Sequence, residues 1–266
     1  MKKYLRFIQM AFKTGFAYRT DYFVGIFRNL VLIVVQLAVW HALLGKTGQV
    51  VTNTGVVTFR DMSTYVLMST LISNLITNNV ILDIGNRIAR GEISMDLIKP
   101  LNFQTYTFSS MIGQNSFNFL FQFLPIFAIG LVFVGIDFPT VQNFLLFCFT
   151  LINAIVIMFL ITYSMALMTF WYARLWNIFE LLQMIIRFFS GMLIPLWFFP
   201  VILVKISNYL PFKLIYFTPI SIFLDKVGLV DCLYLVSQQF LWMAILFGVT
   251  QLVWRAAIKK LVIQGG

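Results

Sequence analysis

Apolar residues come in long unbroken runs, and the charges fall between them. Stretches free of Asp, Glu, Lys and Arg cover 29–45, 62–82, 100–136, 138–173, 188–204 and 232–254. Crossing a hydrocarbon layer of ~30 Å takes about 20 apolar residues in a helix. The pattern therefore predicts six membrane spans, at about 23–44, 62–82, 105–134, 141–171, 177–197 and 232–254. The two longest stretches hold more than a span needs and include caps and loop residues. Between them, Asp137-Phe138-Pro139-Thr140 reads as a tight turn, with Pro139 setting up the next helix start. Ahead of the first span, Lys2, Arg6, Gln9 and Lys13 recur at helical spacing, and Leu5, Ile8, Phe12 and Phe16 form the opposite stripe. That pattern predicts a basic amphipathic helix over 1–21, lying in the headgroup region with its apolar face among the acyl chains.

The fifth span and its sequel are irregular. Gly191, Pro195 and Pro200 interrupt an apolar run, and Pro211 and Pro219 repeat the interruption. Proline in a helix interior removes a hydrogen bond and costs ~3 kcal/mol. Such breaks persist at membrane depth only where protein or a water-filled cavity covers the freed carbonyls. Residues 198–230 are therefore expected to form short half-helices that dip into the outer leaflet, and Lys205 and Lys213 argue against a full crossing there. The expected architecture is an all-α polytopic membrane protein in one domain over 1–266: an N-terminal interfacial helix, six spans, and re-entrant half-helices between spans five and six.

Composition sharpens this. The chain of 266 residues is 61% hydrophobic and 11% charged, with 30 Phe, against roughly 25% charged in an ordinary domain. A soluble core cannot hide that much apolar surface, which excludes a water-soluble enzyme, a disordered tail and a disulfide scaffold. The net charge of +10 would suggest nucleic-acid binding in a soluble protein, but here the basic residues sit between apolar runs and read as topology signals. Fourteen Lys and Arg fall on the side of the N-terminus and five on the other, which predicts both termini in the cytoplasm and agrees with an even number of spans. No short apolar segment with a small-residue cleavage site precedes the first span, so no removable signal peptide is expected. Cys148 and Cys232 form neither a metal cluster nor a CxxC pair, and both fall near the expected outer edge, where a disulfide between them is open.

Candidate chemistry is sparse. His41 is the one histidine, too few for a His-based metal site or a Ser–His–Asp triad, and it is expected to hydrogen-bond a neighbouring helix. Gly45-Lys46-Thr47 ends like a phosphate-binding loop, but Trp40 stands where that loop needs glycine and no strand leads into it. The chain is thus expected to bind no nucleotide or metal itself.

Two regions stand out. Six charges lie between Asp83 and Lys99, interleaved with aliphatics at a roughly helical period; Gly91 breaks the segment and Pro100 stops it. A short amphipathic helix here, within a cytoplasmic loop over 84–100, suits docking into a groove of a soluble partner, while a solvated loop is the plainer alternative. The second span carries Ser69, Ser73, Asn74, Thr77, Asn78 and Asn79, too many amides and hydroxyls to face lipid, and Asn74 and Asn78 are one turn apart. In the fifth span Glu180 and Arg187 share a face, roughly 10 Å apart along the axis. Asn74, Asn78, Glu180 and Arg187 are the pathway candidates; the alternative for Arg187 is snorkelling toward headgroups or pairing with a carboxylate, and Phe188 and Phe189 beside it suit an apolar gate.

These residues resemble the membrane permease subunits of ABC-2 type ATP-binding-cassette transporters, in particular six-span permeases that pair with a second permease. The resemblance rests on three features spread over the chain: the basic N-terminal helix, the Arg90-Gly91-Glu92-Ile93…Leu97-Ile98-Lys99-Pro100 loop, and the Ser190-Gly191…Pro195-Leu196…Pro200…Leu210-Pro211-Phe212…Pro219 run. It implies that 84–100 is a coupling loop seated on a separate ATPase subunit, which would hold the ATP and Mg. Arg87, Arg90, Glu92, Asp96 and Lys99 would be the charged contacts there, Gly91 the break, and Ile93, Leu97 and Ile98 the apolar ones. It further implies a pathway where two permeases meet (a different chain or a copy of this one), contact with membrane lipids, location in a bacterial plasma membrane, and export of a hydrophobic or amphipathic compound such as a drug, lipid, glycoconjugate or peptide. The alternatives are an ion-coupled secondary transporter, disfavoured because no Asp or Glu falls at the centre of a span, and a non-transporting assembly factor.

Overall fold

In the computed structural model, which describes residues 2–45, 48–52, 55–98, 100–172 and 176–264, the chain is almost wholly helical. Helix α1 (Lys2–Gly15) leads through a single 3-10 turn into α2 (Arg19–Leu44). A hairpin of β1 (Gln49–Thr52) and β2 (Gly55–Thr58) follows, antiparallel with Gln49 opposite Thr58 and Thr52 opposite Gly55. Then come α3 (Phe59–Ile76), α4 (Val80–Ala89), α5 (Ile93–Ile98), α6 (Phe103–Asn118), α7 (Leu124–Val134) and α8 (Val141–Leu167). The chain closes with α9 (Trp176–Phe189), α10 (Val201–Asn208), α11 (Phe217–Phe223) and α12 (Leu229–Gln264).

Five helical stretches are long and apolar enough to cross a membrane: Tyr22–Leu44, Phe59–Ala89, Phe103–Val134, Val141–Phe170 and Leu229–Lys260. They match the first four and the sixth expected spans. The fifth differs. A helix over 177–197 was expected, but α9 has 14 residues, about 21 Å at 1.5 Å per residue, and stops at Phe189. Ser190 and Gly191 end it: Gly191 sits at φ +78°, and a Cβ there would lie 2.9 Å from the Tyr65 hydroxyl and 3.1 Å from Phe217. Pro195 and Pro200 then hold the chain extended. Further on, α10 and the segment Phe212–Phe223 bend by 81° at their junction, so they count as a sixth crossing only if taken as one broken span.

Helix α3 is the axis of the molecule. Every residue from Met62 to Ile72 is buried, whereas α12 is largely exposed on its outer flank. A capping box fixes the start of α3: Thr58 accepts from the Asp61 amide, and the Asp61 carboxylate accepts from Thr58 N. Lys226 reaches that carboxylate at 2.9 Å and the Val56 carbonyl at 3.3 Å, tying the α11–α12 connection to the hairpin. The segment between α2 and α3 is thus an ordered hairpin on its described residues. His41 sets its ring edge-on against Phe59 at 5.4 Å.

The third long helix contains a π turn at Phe119–Phe123. Pro125 explains it: the proline lacks an N–H and would clash with the carbonyl four residues back, and one wider turn relieves both problems.

The segment ahead of the first span forms a helix over Lys2–Gly15, and part of its apolar face packs on α6. Phe7 packs edge-on to Tyr106 at 4.8 Å, and Phe12 and Phe16 close around Phe117. Two glycines permit the approach. A Cβ on Gly113 would fall 2.3 Å from the Ile8 carbonyl oxygen, and one on Gly15 2.5 Å from the Phe117 ring. Leu5, Met10 and Phe16 remain exposed. Gly113→Val should therefore lift α1 off α6, at a cost of roughly 1–3 kcal/mol for overpacking. Faster amide exchange across Lys2–Gly15 is the readout, and unchanged protection there would contradict the close packing.

Candidate functional site

Two polar features interrupt the apolar bundle. One is a cavity of about 500 Å³ among α2, α3, α6, α9 and the α10–α11 segment. It begins with the end of α3. Thr77, Asn78 and Asn79 are poor helix formers because their side chains compete for backbone groups, and the helix stops there: Thr77 N donates to Ser73 O, and the Asn78 amide bonds Ile76 O at 3.3 Å and accepts from Val80 N at 3.4 Å. Facing this break, α6 and its π turn present Gln114, Asn118 and Gln122, each four residues on from the last. Helix α9 presents Gln183 and Arg187 at the same spacing, and α2 presents Arg28 and Asn29.

Asn74 organises the wall. Its side-chain oxygen accepts from Asn29 Nδ2 at 3.1 Å, and its backbone carbonyl accepts from Asn118 Nδ2 at 3.2 Å. Its own Nδ2 is buried with no partner. Tyr216 lines the same wall and lies in the field of Arg187. Two arginines line the cavity, and among its described lining residues there is no carboxylate. Such a lining suits water or a polar group, since so many amides are costly against hydrocarbon.

Of the residues singled out in the sequence, Asn74, Asn78 and Arg187 meet at this cavity. Helical register does not bring the two asparagines together, because the helix breaks between them; the break itself turns Asn78 inward. Glu180 is exposed near the start of α9 and does not line the cavity. Phe188 packs on Phe199 at 4.9 Å and on Phe189 at 5.2 Å, with neither ring in the cavity wall. Arg28, Asn29, Gln114, Asn118, Gln122 and Gln183 were not anticipated. The every-fourth-residue run of amides in 114–122 was the available signal; Arg28 passed as a topology charge.

The second feature is the turn after the second long helix. Helix α4 runs on to Ala89, Arg90–Glu92 form the turn with Gly91 at φ +73°, and α5 follows. The expected loop over 84–100 is therefore helix, turn, helix on its described residues. Arg87 reaches back to Asp96 at 2.6 Å and to the Tyr106 hydroxyl at 3.4 Å, with its guanidinium over the Tyr106 ring at 5.8 Å. Ile93, expected to fill a partner's groove, is 2% exposed and packs inside its own chain among Val80, Ile84 and Phe103. Its apolar side chain gains more from that core, and α5 is thereby pinned. Facing outward instead are Ile98 at 82% and Met95 at 70% exposure, with Arg90 and Glu92, which approach to 3.9 Å. Met95 escaped the sequence pattern. The side chain of Leu97 and all of Lys99 lie outside the described residues.

Cys148 and Cys232 are both free thiols. A family model described as "ABC-2 family transporter protein" matches residues 24–265. No curated protein matches the chain.

Proposed function

Because the chain belongs to the ABC-2 family of transporter proteins, we propose that it is the membrane half of an exporter whose ATP is hydrolysed on separate subunits. Membership makes it a membrane permease of an ABC transporter; the energy coupling, the direction and the cargo are our reading. Motion of the ATPase subunits is transmitted through the α4–α5 turn. The observation that carries this is the exposed apolar pair Met95 and Ile98 beside Arg90 and Glu92, on a helix held to the bundle by buried Ile93 and the Arg87–Asp96 pair. Rigid attachment on one side and an unsatisfied apolar face on the other is what a mechanical lever requires.

The polar cavity is the stretch of pathway this chain contributes, completed by a second permease, either a different chain or a copy. Its cargo is amphipathic, with a polar group accommodated by Asn74, Asn78, Asn118 and Arg187 and the remainder in contact with the apolar bundle. The bent α10–α11 segment is a re-entrant element on the outer side, both termini are cytoplasmic, and the setting is a bacterial plasma membrane.

The test is co-purification of the chain with its ATPase subunit, followed by an ATPase assay. Met95→Glu together with Ile98→Glu should abolish co-purification, or leave hydrolysis unresponsive to the permease, while the protein elutes as the wild type does on gel filtration. Normal assembly and coupling in that variant would refute the lever. Labelling of a cysteine at position 92 from the outer face would refute the orientation.

A further inference from the structure

Toward the hairpin end of the bundle lies a second, smaller cavity of about 240 Å³ between α10, α11 and the start of α12. Its walls are mostly apolar, with Trp197, Val201, Val204 and Leu235 among the lining residues. One group contradicts that character. Lys213 lines the cavity at 7% exposure, and its Nζ donates to Asn208 Oδ1 at 2.8 Å. Asn208 is neutral. Among the described residues no carboxylate pairs with Lys213, and none lines the cavity.

A protonated amine offers three donors, and a buried cation without a counter-charge costs more than one neutral hydrogen bond returns. The same cavity holds two further orphans. Thr218 Oγ1 and Ser221 Oγ, one turn apart on α11, are buried and have no partner. A cation with one neutral partner, beside two residues of the same wall whose hydroxyls are unpartnered, calls for an acceptor with several oxygens and a negative charge. The apolar walls need hydrocarbon.

We propose that this cavity binds the anionic head, a phosphate or carboxylate, of a membrane amphiphile. Lys213, Thr218 and Ser221 hold the head, and the first part of its chain lies along Trp197, Val204 and Leu235 and leaves past Val201, which is exposed. The site is separate from the lever and does not depend on what the polar cavity carries. A free inorganic anion would satisfy Lys213 but leave the apolar walls unused, so the amphiphile is the better fit.

Trp197 supplies the probe. The full chain is reconstituted in phosphatidylcholine vesicles doped with brominated phosphatidylglycerol or brominated phosphatidylcholine, and Trp197 quenching is obtained by difference from Trp197→Phe. The anionic lipid should quench at about tenfold lower content or less, the scale of a charge-assisted hydrogen bond. Lys213→Arg should keep that preference and Lys213→Gln should lose it. Thr218→Val with Ser221→Ala should weaken it severalfold with the charge intact. In pure phosphatidylcholine, Lys213→Gln should melt no lower than wild type, because an uncompensated charge has been removed. Equal quenching by both lipids overturns the proposal, as does an undiminished preference in Lys213→Gln. So does a Lys213→Gln protein that melts well below wild type in neutral lipid, since the amine would then be satisfied within the protein. Displacement of the lipid by inorganic phosphate would make the ligand a free anion and likewise overturn it.

Discussion

Gln239→Leu should be among the most destabilising single substitutions in this protein, at about 2–4 kcal/mol. Gln239 is fully buried in α12 and joins three parts of the chain. Its Oε1 accepts from Asn153 Nδ2 of α8 at 3.1 Å, and its Nε2 donates to the Thr150 carbonyl at 3.0 Å and the Leu214 carbonyl at 3.1 Å. Leucine matches the volume and satisfies none of these groups. The Thr150 carbonyl lies within a helix, but the Leu214 carbonyl belongs to the irregular segment before α11 and leans on the glutamine. Leaving it and Asn153 unpaired in an apolar interior carries a desolvation cost of 1–3 kcal/mol each by general experience, reduced where the unfolded chain in lipid finds other partners. Thermal unfolding of the purified protein should show a clearly lower midpoint, and amide exchange should quicken across 212–217. Asn153→Leu should cost less, and the double variant less than the sum of the two singles, because the shared bond can be lost only once. Full additivity, or a Gln239→Leu protein that melts with the wild type, would show that the glutamine is not holding the irregular segment to the bundle.

That dependence explains which parts of the fold were legible in sequence. The five long helices were readable because membrane insertion imposes a length and an apolar run that the chain itself must meet. The N-terminal helix was readable from its two opposed stripes, though not its partner: the fit of α1 to α6 turns on Gly113 and Gly15, and a missing side chain leaves no mark in a hydropathy pattern. The end of α9 was harder. Ser190 and Gly191 are compatible with a membrane helix, and only the approach of Tyr65 and Phe217 makes the left-handed turn the better choice. In the α4–α5 turn the charges were visible, but Arg87 and Asp96 close on each other, so those with the largest pattern signal are internal and Met95 carries the exposed face. The cavity was half legible. Asn74, Asn78 and Arg187 announced themselves by standing in apolar runs; Arg28 sits six residues into the first long stretch and was indistinguishable from an anchoring charge.

Arg28 and Arg187 give the second large effect. With Cys148 and Cys232 replaced by serine and Asn118 replaced by cysteine, an anionic methanethiosulfonate should modify residue 118 at least about tenfold faster than a cationic one, after correction for their rates with free thiol. The two guanidiniums line the cavity with no carboxylate among its described residues, and among the described residues neither has an ion-pair partner. At an effective dielectric near 20, a unit charge about 8–10 Å away favours a monovalent anion by about 2 kcal/mol. Both arginines are exposed, so screening cuts this to roughly 1 kcal/mol each, still enough to separate reagents of opposite sign by more than an order of magnitude. Arg187→Gln should remove about half of the preference on a logarithmic scale, and Arg28→Gln with Arg187→Gln nearly all of it. Raising the salt concentration should compress the wild-type ratio in the same direction. Reagents that react at equal corrected rates in the wild-type background would mean that the arginine heads turn away from the space their side chains line. The cavity would then present amides alone, and a charged cargo would gain nothing by passing through it.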